Sequence, residues 1–319
     1  MALVDMDRLI EHKHFMGSPI IDAVNEFFRD VQGDARRVFH GRGQLYPGYG
    51  HVCLDWYRPT LLITAYAPID NIEALVASII AVDSGSQIDS ILLQKRFEKE
   101  IPTETLLGDV PSKLIVSENG LKFEIHLGAQ QNTGLFLDMA PLRDWILHNS
   151  KSRKVLNLFA YTCSFSVAAM AGEATSVTNV DMSKTSMGWG MQNHKINDQD
   201  SRCVHQVPYN IFTSWGRIKQ LGRYDLIIID PPARQRHSFN AEKNYGAVIK
   251  RLHQLCNEDA EIVASLNSPF LDQQFLLDKF AQHAPAAVFQ ETMPAAPEFK
   301  DKYPERALKI ARFKYQTVS

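Results

Sequence analysis

A chain of 319 residues with 45% hydrophobic residues can bury two cores, and 34 basic against 36 acidic residues leave it near neutral. That balance excludes binding to a polyanion through bulk charge, so a nucleic acid would have to be held by local patches. Cys53, Cys163, Cys203 and Cys256 show neither a Cys-x-x-Cys pair nor a Cys-His metal spacing, which argues against a disulfide framework or a metal centre and points to a reducing, cytoplasmic setting. The leading MALVDMDRLIEHKHF is too charged for a secretory signal, and no apolar run approaches a membrane span.

Residues 1–35 alternate apolar and charged positions at helical spacing, as in Ile20, Val24, Phe27, Phe28 and Val31, which predicts a leading helical segment that packs rather than catalyses. Residues 36–129 read as a small α+β domain. It opens on Arg36 to Gln44, where three arginines and a histidine among glycines and aromatics offer either a phosphate grip or a solvated turn. Strands follow at His51 to Asp55 and Thr60 to Tyr66, then a helix at Asn71 to Ala81 and a strand at Ser90 to Leu93. Lys113 to Val116 and Lys122 to His126 flank Asn119-Gly120, the mark of a tight hairpin.

Residues 130–319 carry the chemistry. After the bridging segment Gln130 to Asp138 and a helix at Ala140 to His148, Val155 to Phe159 is a short apolar strand, Ser164 to Ala171 a helix, and Ser176 to Val180 a second strand that stops on Asp181. Strand, tight turn, helix, strand is the first half of a nucleoside-binding α/β domain, and an acid at the end of the second strand can accept both hydroxyls of a ribose. Capping of the helix Ser183 to Lys195 is the other reading of Asp181. Arg202 to Val207 is the third strand. Asn210 beyond it suits either a ring amine or the cap of the helix Ile211 to Leu221. Leu226 to Ile229 is apolar throughout, as in a strand buried on both faces, and ends in Asp230-Pro231-Pro232. Two prolines hold the chain extended there, which keeps Asp230 at the ligand-binding edge of the sheet. A helix at Glu242 to Cys256, a fifth strand at Ala260 to Leu266, a helix at Leu271 to Gln282, and a closing pair at Ala287 to Gln290 and Lys309 to Tyr315 complete the domain.

Thr133 to Asp138, Leu156 to Thr162, Val180 to Ser183, Asp225 to Pro232 and Tyr303-Pro304-Glu305 form an ordered set. Over residues 38–315 it resembles class I S-adenosylmethionine-dependent methyltransferases that modify bacterial 23S ribosomal RNA at cytosine C5 or guanine N7. The resemblance implies a Rossmann-like sheet of seven mostly parallel strands with a C-terminal antiparallel hairpin, preceded by the small α+β domain. It implies that Phe159 and Tyr161 line the methionine half of the cofactor, Asp181 takes the ribose, Met182 packs on the adenine and Asn210 addresses its edge. Asp138 and Asn157 fall within the matched motifs and join the cofactor-binding set. Asp230 with Pro231 would face the methyl group and target base. Family members often carry an extra RNA-binding domain in front, for which the leading segment here is too short and too helical. Cys163-Ser164 stands where the loop usually has glycines, which predicts less room for the backbone near the cofactor, and Asn210 replaces an acid.

Methylation at cytosine C5 requires a cysteine thiolate to add to the base first, whereas a ring nitrogen has its own lone pair and needs alignment. Relatives with that thiol carry it after the fifth strand. Here the chain reads Ser265-Leu266-Asn267-Ser268, so the expectation is direct transfer to a nitrogen, with Asn267 and Asp230 framing the base. Arg234 and Arg236 in one loop and Lys300 and Lys302 in another are the expected RNA contacts. A nicotinamide-dependent oxidoreductase would need a Gly-x-Gly-x-x-Gly turn, and Ala160 to Phe165 holds no glycine. A non-catalytic RNA-binding or ribosome-assembly protein on the same scaffold is the other reading.

Overall fold

The computed structural model describes residues 15, 17–128, 131–232, 234–235 and 239–316. They form two compact units. The first takes in the described residues up to Gly120 together with Glu124–Thr133 and Glu298–Lys302, and the second takes in Leu121–Phe123, Gly134–Pro297 and the residues from Tyr303.

In the first unit, α1 (Pro19–Phe27) is followed by β1 (Arg36–His40), β2 (Val52–Tyr57), β3 (Thr60–Ala65), α2 (Ile72–Val82), β4 (Ser90–Lys95) and β5 (Thr103–Leu107). These strands make one sheet in chain order, parallel only between β3 and β4. Pro19 presets the first turn of α1 and the Ser18 hydroxyl accepts the Ile21 N–H. Ile20, Ile21, Val24 and Phe28 are buried in the same core as Leu54, Trp56, Leu61 and Ile63, each such side chain adding roughly 1.5–3 kcal/mol. The helix therefore belongs to this unit and is not a separate leading segment. The hairpin β6 (Leu114–Glu118) and β7 (Leu121–Ile125) turns at Asn119 and Gly120, both at positive φ, as the Asn-Gly pair predicts.

Arg36 to His40 is a strand, not a loop. Arg37 donates to both oxygens of the buried Asp55, and Arg36 donates to Glu298. These two guanidiniums are already neutralised, which removes them from the phosphate grip the stretch suggested.

In the second unit the order is α3 (Ala140–Asn149), β8 (Lys154–Leu158), α4 (Ser164–Ala171), β9 (Ser176–Val180), α5 (Lys184–Ile196), β10 (Val204–Val207), α6 (Ile211–Gln220) and β11 (Tyr224–Ile229). The short pair β12 (Arg234–Gln235) and β13 (Phe239–Asn240) precedes α7 (Ala241–Ile249), α8 (Leu252–Leu255), β14 (Cys256–Leu266), α9 (Gln273–His283), β15 (Ala287–Met293) and β16 (Lys309–Tyr315). The sheet runs β10-β9-β8-β11-β14-β16-β15. The first five strands are parallel, and β16 inserts antiparallel between β14 and β15. This is the Rossmann-like sheet of seven mostly parallel strands with a C-terminal antiparallel hairpin that the resemblance implied. The order reverses between β8 and β11, which opens a crevice at their carboxyl ends.

The predicted helix at Glu242 to Cys256 is corrected. It stops at Ile249, α8 adds one turn, and Cys256 opens β14 opposite Tyr224. Apolar periodicity does not distinguish a helix end from the start of a buried strand when both are enclosed.

Candidate active site

At the carboxyl end of β8 the chain makes a tight turn without glycine. Phe159, Tyr161 and Cys163 all adopt left-handed backbone geometry, at φ 63°, 47° and 63°. Such conformations are costly for residues with a Cβ and persist where the surroundings enforce them, most often at functional sites. The enforcing contacts are visible. Thr162 Oγ1 donates to the Gly134 carbonyl at 2.6 Å, Asn193 donates to the Thr162 carbonyl, and the Tyr161 N–H donates to Asp181 Oδ2 at 2.9 Å.

Asp181 stands at the end of β9. Its other oxygen accepts the Ser183 N–H at 2.8 Å. The helix cap is Ser183, whose hydroxyl accepts the Ser186 N–H. The carboxylate thus fixes two loops and keeps lone pairs on both oxygens for further donors. Met182 beside it is 46% exposed, an apolar lip on the same edge. The Tyr161 ring lies 5.5 Å from Phe136 and 6.2 Å from Trp189, and its hydroxyl is enclosed with no hydrogen-bond partner among the described residues. Burial, with the Asp181 charge behind it, pushes that phenol up to about 12, so at neutral pH it is a donor awaiting an acceptor.

Trp189 from α5 packs over Gly134, which sits at φ 107°; a Cβ there would lie 2.2 Å from the indole ring. Gly134→Ala is expected to cost about 2–4 kcal/mol through overpacking and backbone strain, read as a lowered midpoint in denaturant unfolding.

Asp230 follows β11 at the same edge. Ser265 Oγ donates to its Oδ1, and Tyr245 from α7 donates to the Ser265 carbonyl at 2.8 Å. The residue as a whole is half-buried, and the burial falls on its carboxyl group. Burial raises its pKa to about 6, the Ser265 hydrogen bond works against that rise, Asp138 adds to it and Arg143 opposes it. Ser265, Tyr245 and Arg143 were not anticipated. A serine inside the apolar strand Ile262 to Leu266 is the one signal that marked the first, since a buried hydroxyl needs a partner. Arg143, 2% exposed, donates to the Phe136 carbonyl at 2.9 Å.

The remaining expected residues separate. Asp138 lies in a 3₁₀ turn at Leu137–Met139 and is not a side-chain cap. Asn157 is fully buried inside β8, its amide donating to Asn179 Oδ1 at 2.9 Å; it is one residue short of the strand end and orders the sheet beneath the loop. Asn210 caps α6, accepting the Phe212 N–H at 2.9 Å. Pro231 is buried and Asn267 is exposed just past β14. Arg234 enters a two-residue backbone pairing with Asn240, and Arg236 lies outside the described residues. Lys300 and Lys302 belong to the first unit.

The edge holds a carboxylate with spare acceptor capacity after β9, an enclosed phenol without a partner among the described residues after β8 and a second carboxyl after β11, which fits a nucleoside cofactor with a polar tail. A doubly wound sheet with that edge defines a nucleoside-binding α/β enzyme. The chain matches the family described as S-adenosylmethionine-dependent methyltransferase over residues 36–314, and it belongs to that family. It is 33% identical over 268 residues to ribosomal RNA large subunit methyltransferase K/L of Shewanella pealeana, covering 78% of this chain and 37% of that protein. YwbD of Bacillus subtilis, provisionally named a ribosomal RNA large subunit methyltransferase, is 32% identical over 282 residues, 84% of this chain and 68% of that one. The chain thus spans little more than a third of the K/L relatives it matches. Among solved structures, SMU.776, provisionally assigned as a methyltransferase and crystallised with SAH, superposes with a TM-score of 0.80 at 24% identity over 96% of this chain and 81% of that one, a likeness of fold. No helix of the described residues is long and apolar enough to cross a membrane.

Proposed function

We propose that this methyltransferase modifies a base nitrogen of large-subunit ribosomal RNA, without a covalent cysteine intermediate. The observation that carries the reading is where the four thiols stand. Cys256 lies at the amino end of β14, away from the ligand edge. Cys53 is buried in the first unit. Cys203 precedes β10 in a 3₁₀ turn, again at the amino end of a strand. Cys163 is in the cofactor loop but fully enclosed, with Gly190 of α5 so close that a Cβ there would lie 2.3 Å from its sulfur. Burial pushes that thiol far above its ordinary range, with Asp181 adding to the rise. A thiol that stays protonated and covered is no nucleophile.

S-adenosylmethionine supplies an electrophilic methyl group when bound. The residues assigned to it are Asp181 for the ribose hydroxyls, Met182 against the adenine, and Phe159 with Tyr161 along the amino-acid tail. Asn210 addresses the adenine edge, and Asp138 and Asn157 complete the cofactor-binding set. Asp230, Pro231 and Asn267 frame the acceptor base, and an ionised Asp230 can accept from its ring N–H or amino group. Arg234, Arg236, Lys300 and Lys302 supply contacts to RNA phosphates.

The test is incubation with radiolabelled S-adenosylmethionine and ribosomal RNA stripped of protein from cells lacking the gene. Label in large-subunit RNA, released by chemistry that cleaves at N7-methylguanosine or recovered as another N-methylated nucleoside, is the expected result. A 5-methylcytidine product would overturn the direct mechanism. Label in no RNA would overturn the substrate class.

A further inference from the structure

We infer that the first unit binds the backbone of single-stranded RNA through a face built from Arg42, Tyr66, Arg96 and Lys300. The inference rests on the RNA reading above and adds to it a surface of stated residues. Of the three arginines in Arg36 to Arg42, two are neutralised by Glu298 and Asp55. Arg42 is different. It is exposed, no described carboxylate pairs with it, and its guanidinium lies over the Tyr66 ring at 4.1 Å.

The same ring lies 5.7 Å from the guanidinium of Arg96, which is aimed by hydrogen bonds to Gln94 Oε1 and the Gln131 carbonyl and likewise has no carboxylate among the described residues. Neighbouring Lys95, by contrast, is paired with Glu104 at 2.9 Å. Lys300 is brought to Arg42 by the backbone. The Lys302 N–H donates to the Gly43 carbonyl at 2.7 Å, and a Cβ on Gly43 would lie 2.0 Å from the Lys300 carbonyl. Only glycine allows that approach. Asp301, the acid between the lysines, is already engaged.

Three cations without an acid partner among the described residues, two of them held on one aromatic ring, make a preordered array of donors for phosphate oxygens. Leu45 and Tyr46, 45% and 37% exposed on the same connection between β1 and β2, offer apolar surface to unstacked bases. A duplex hides those bases, which is why a single strand is the fitting form.

The experiment measures binding of a labelled single-stranded RNA of about a dozen nucleotides to the full chain by fluorescence anisotropy across roughly 50–300 mM salt. For the Arg42→Ala, Arg96→Ala, Lys300→Ala triple variant, the logarithmic salt dependence is expected to flatten by about 2, given ~0.7 per phosphate contact on a single strand. S-adenosylmethionine affinity should be unchanged, which also reports folding. Arg202→Ala, an exposed arginine paired with Asp200, should leave the slope as it is. An unaltered slope in the triple variant, with the parent binding and methylating RNA, would overturn this face alone. A parent that binds cofactor yet neither binds nor methylates RNA would overturn the RNA reading with it. Competition by oligo-aspartate as effective as by RNA would assign the face to an acidic peptide instead.

Discussion

Asp230→Ala is expected to bind S-adenosylmethionine within a few-fold of the parent yet transfer its methyl group on the order of 100-fold more slowly, the scale of losing alignment at a reacting centre. Single-turnover transfer and calorimetric titration on the same preparation separate the two effects, and parental transfer by this variant would remove Asp230 from the framing role. Stability should move the other way. The folded carboxyl titrates near 6, above its ordinary 3.8, so the fold favours the protonated acid. Its contribution is fully present below about pH 4 and is lost as pH rises through 6. Above that, holding the charge inside costs up to about 3 kcal/mol. Asp230→Asn, which keeps the shape without the charge, is therefore expected to be more stable than the parent at pH 8, with the advantage vanishing by about pH 4. Denaturant unfolding at both values decides it. Ser265→Ala removes the hydrogen bond that holds this carboxyl down, so the pH profile of transfer should move towards alkaline values; an unmoved profile would make Ser265 merely structural.

Asp181→Ala is expected to weaken S-adenosylmethionine binding by about 100-fold or more, since hydrogen bonds to a charged acceptor are worth roughly 1.5–3 kcal/mol each and a ribose offers two. The loss is compounded because the same carboxylate anchors the N–H groups of Tyr161 and Ser183, so the cofactor loop relaxes with it. Asp181→Asn retains one acceptor and should fall between. Isothermal titration with S-adenosylmethionine, and with S-adenosylhomocysteine for comparison, reads both variants. Equal affinity in parent and Asp181→Ala would place the ribose elsewhere.

The positions of these two residues at strand ends were legible before the fold was known because their signal is local. An apolar strand that stops on an acid states its own edge, and Asp-Pro-Pro after Leu226 to Ile229 states where the chain must leave the sheet. The order of motifs was equally legible, whereas the reversal between β8 and β11 appears only in the sheet itself. Edge strands were harder: β5, Thr103–Leu107, is largely exposed and lacks the apolar alternation that marks a half-buried strand.

Partnership across long separations could not be read. Arg36, Arg37 and Arg42 look alike in sequence, and only the fold gives Glu298 to the first and Asp55 to the second while leaving Arg42 on Tyr66. Ser265 gains a role because β14 lies next to β11 and lays its hydroxyl on Asp230. Cys163 and Cys256 likewise look like any cysteine in sequence, and only the fold covers them. Charge state and exposure depend on neighbours brought from tens or hundreds of residues away, whereas strand ends, turns and caps depend on a few adjacent residues. The chain alone therefore specified the scaffold and its acidic edge, and the packing decided which side chains there remain free to act.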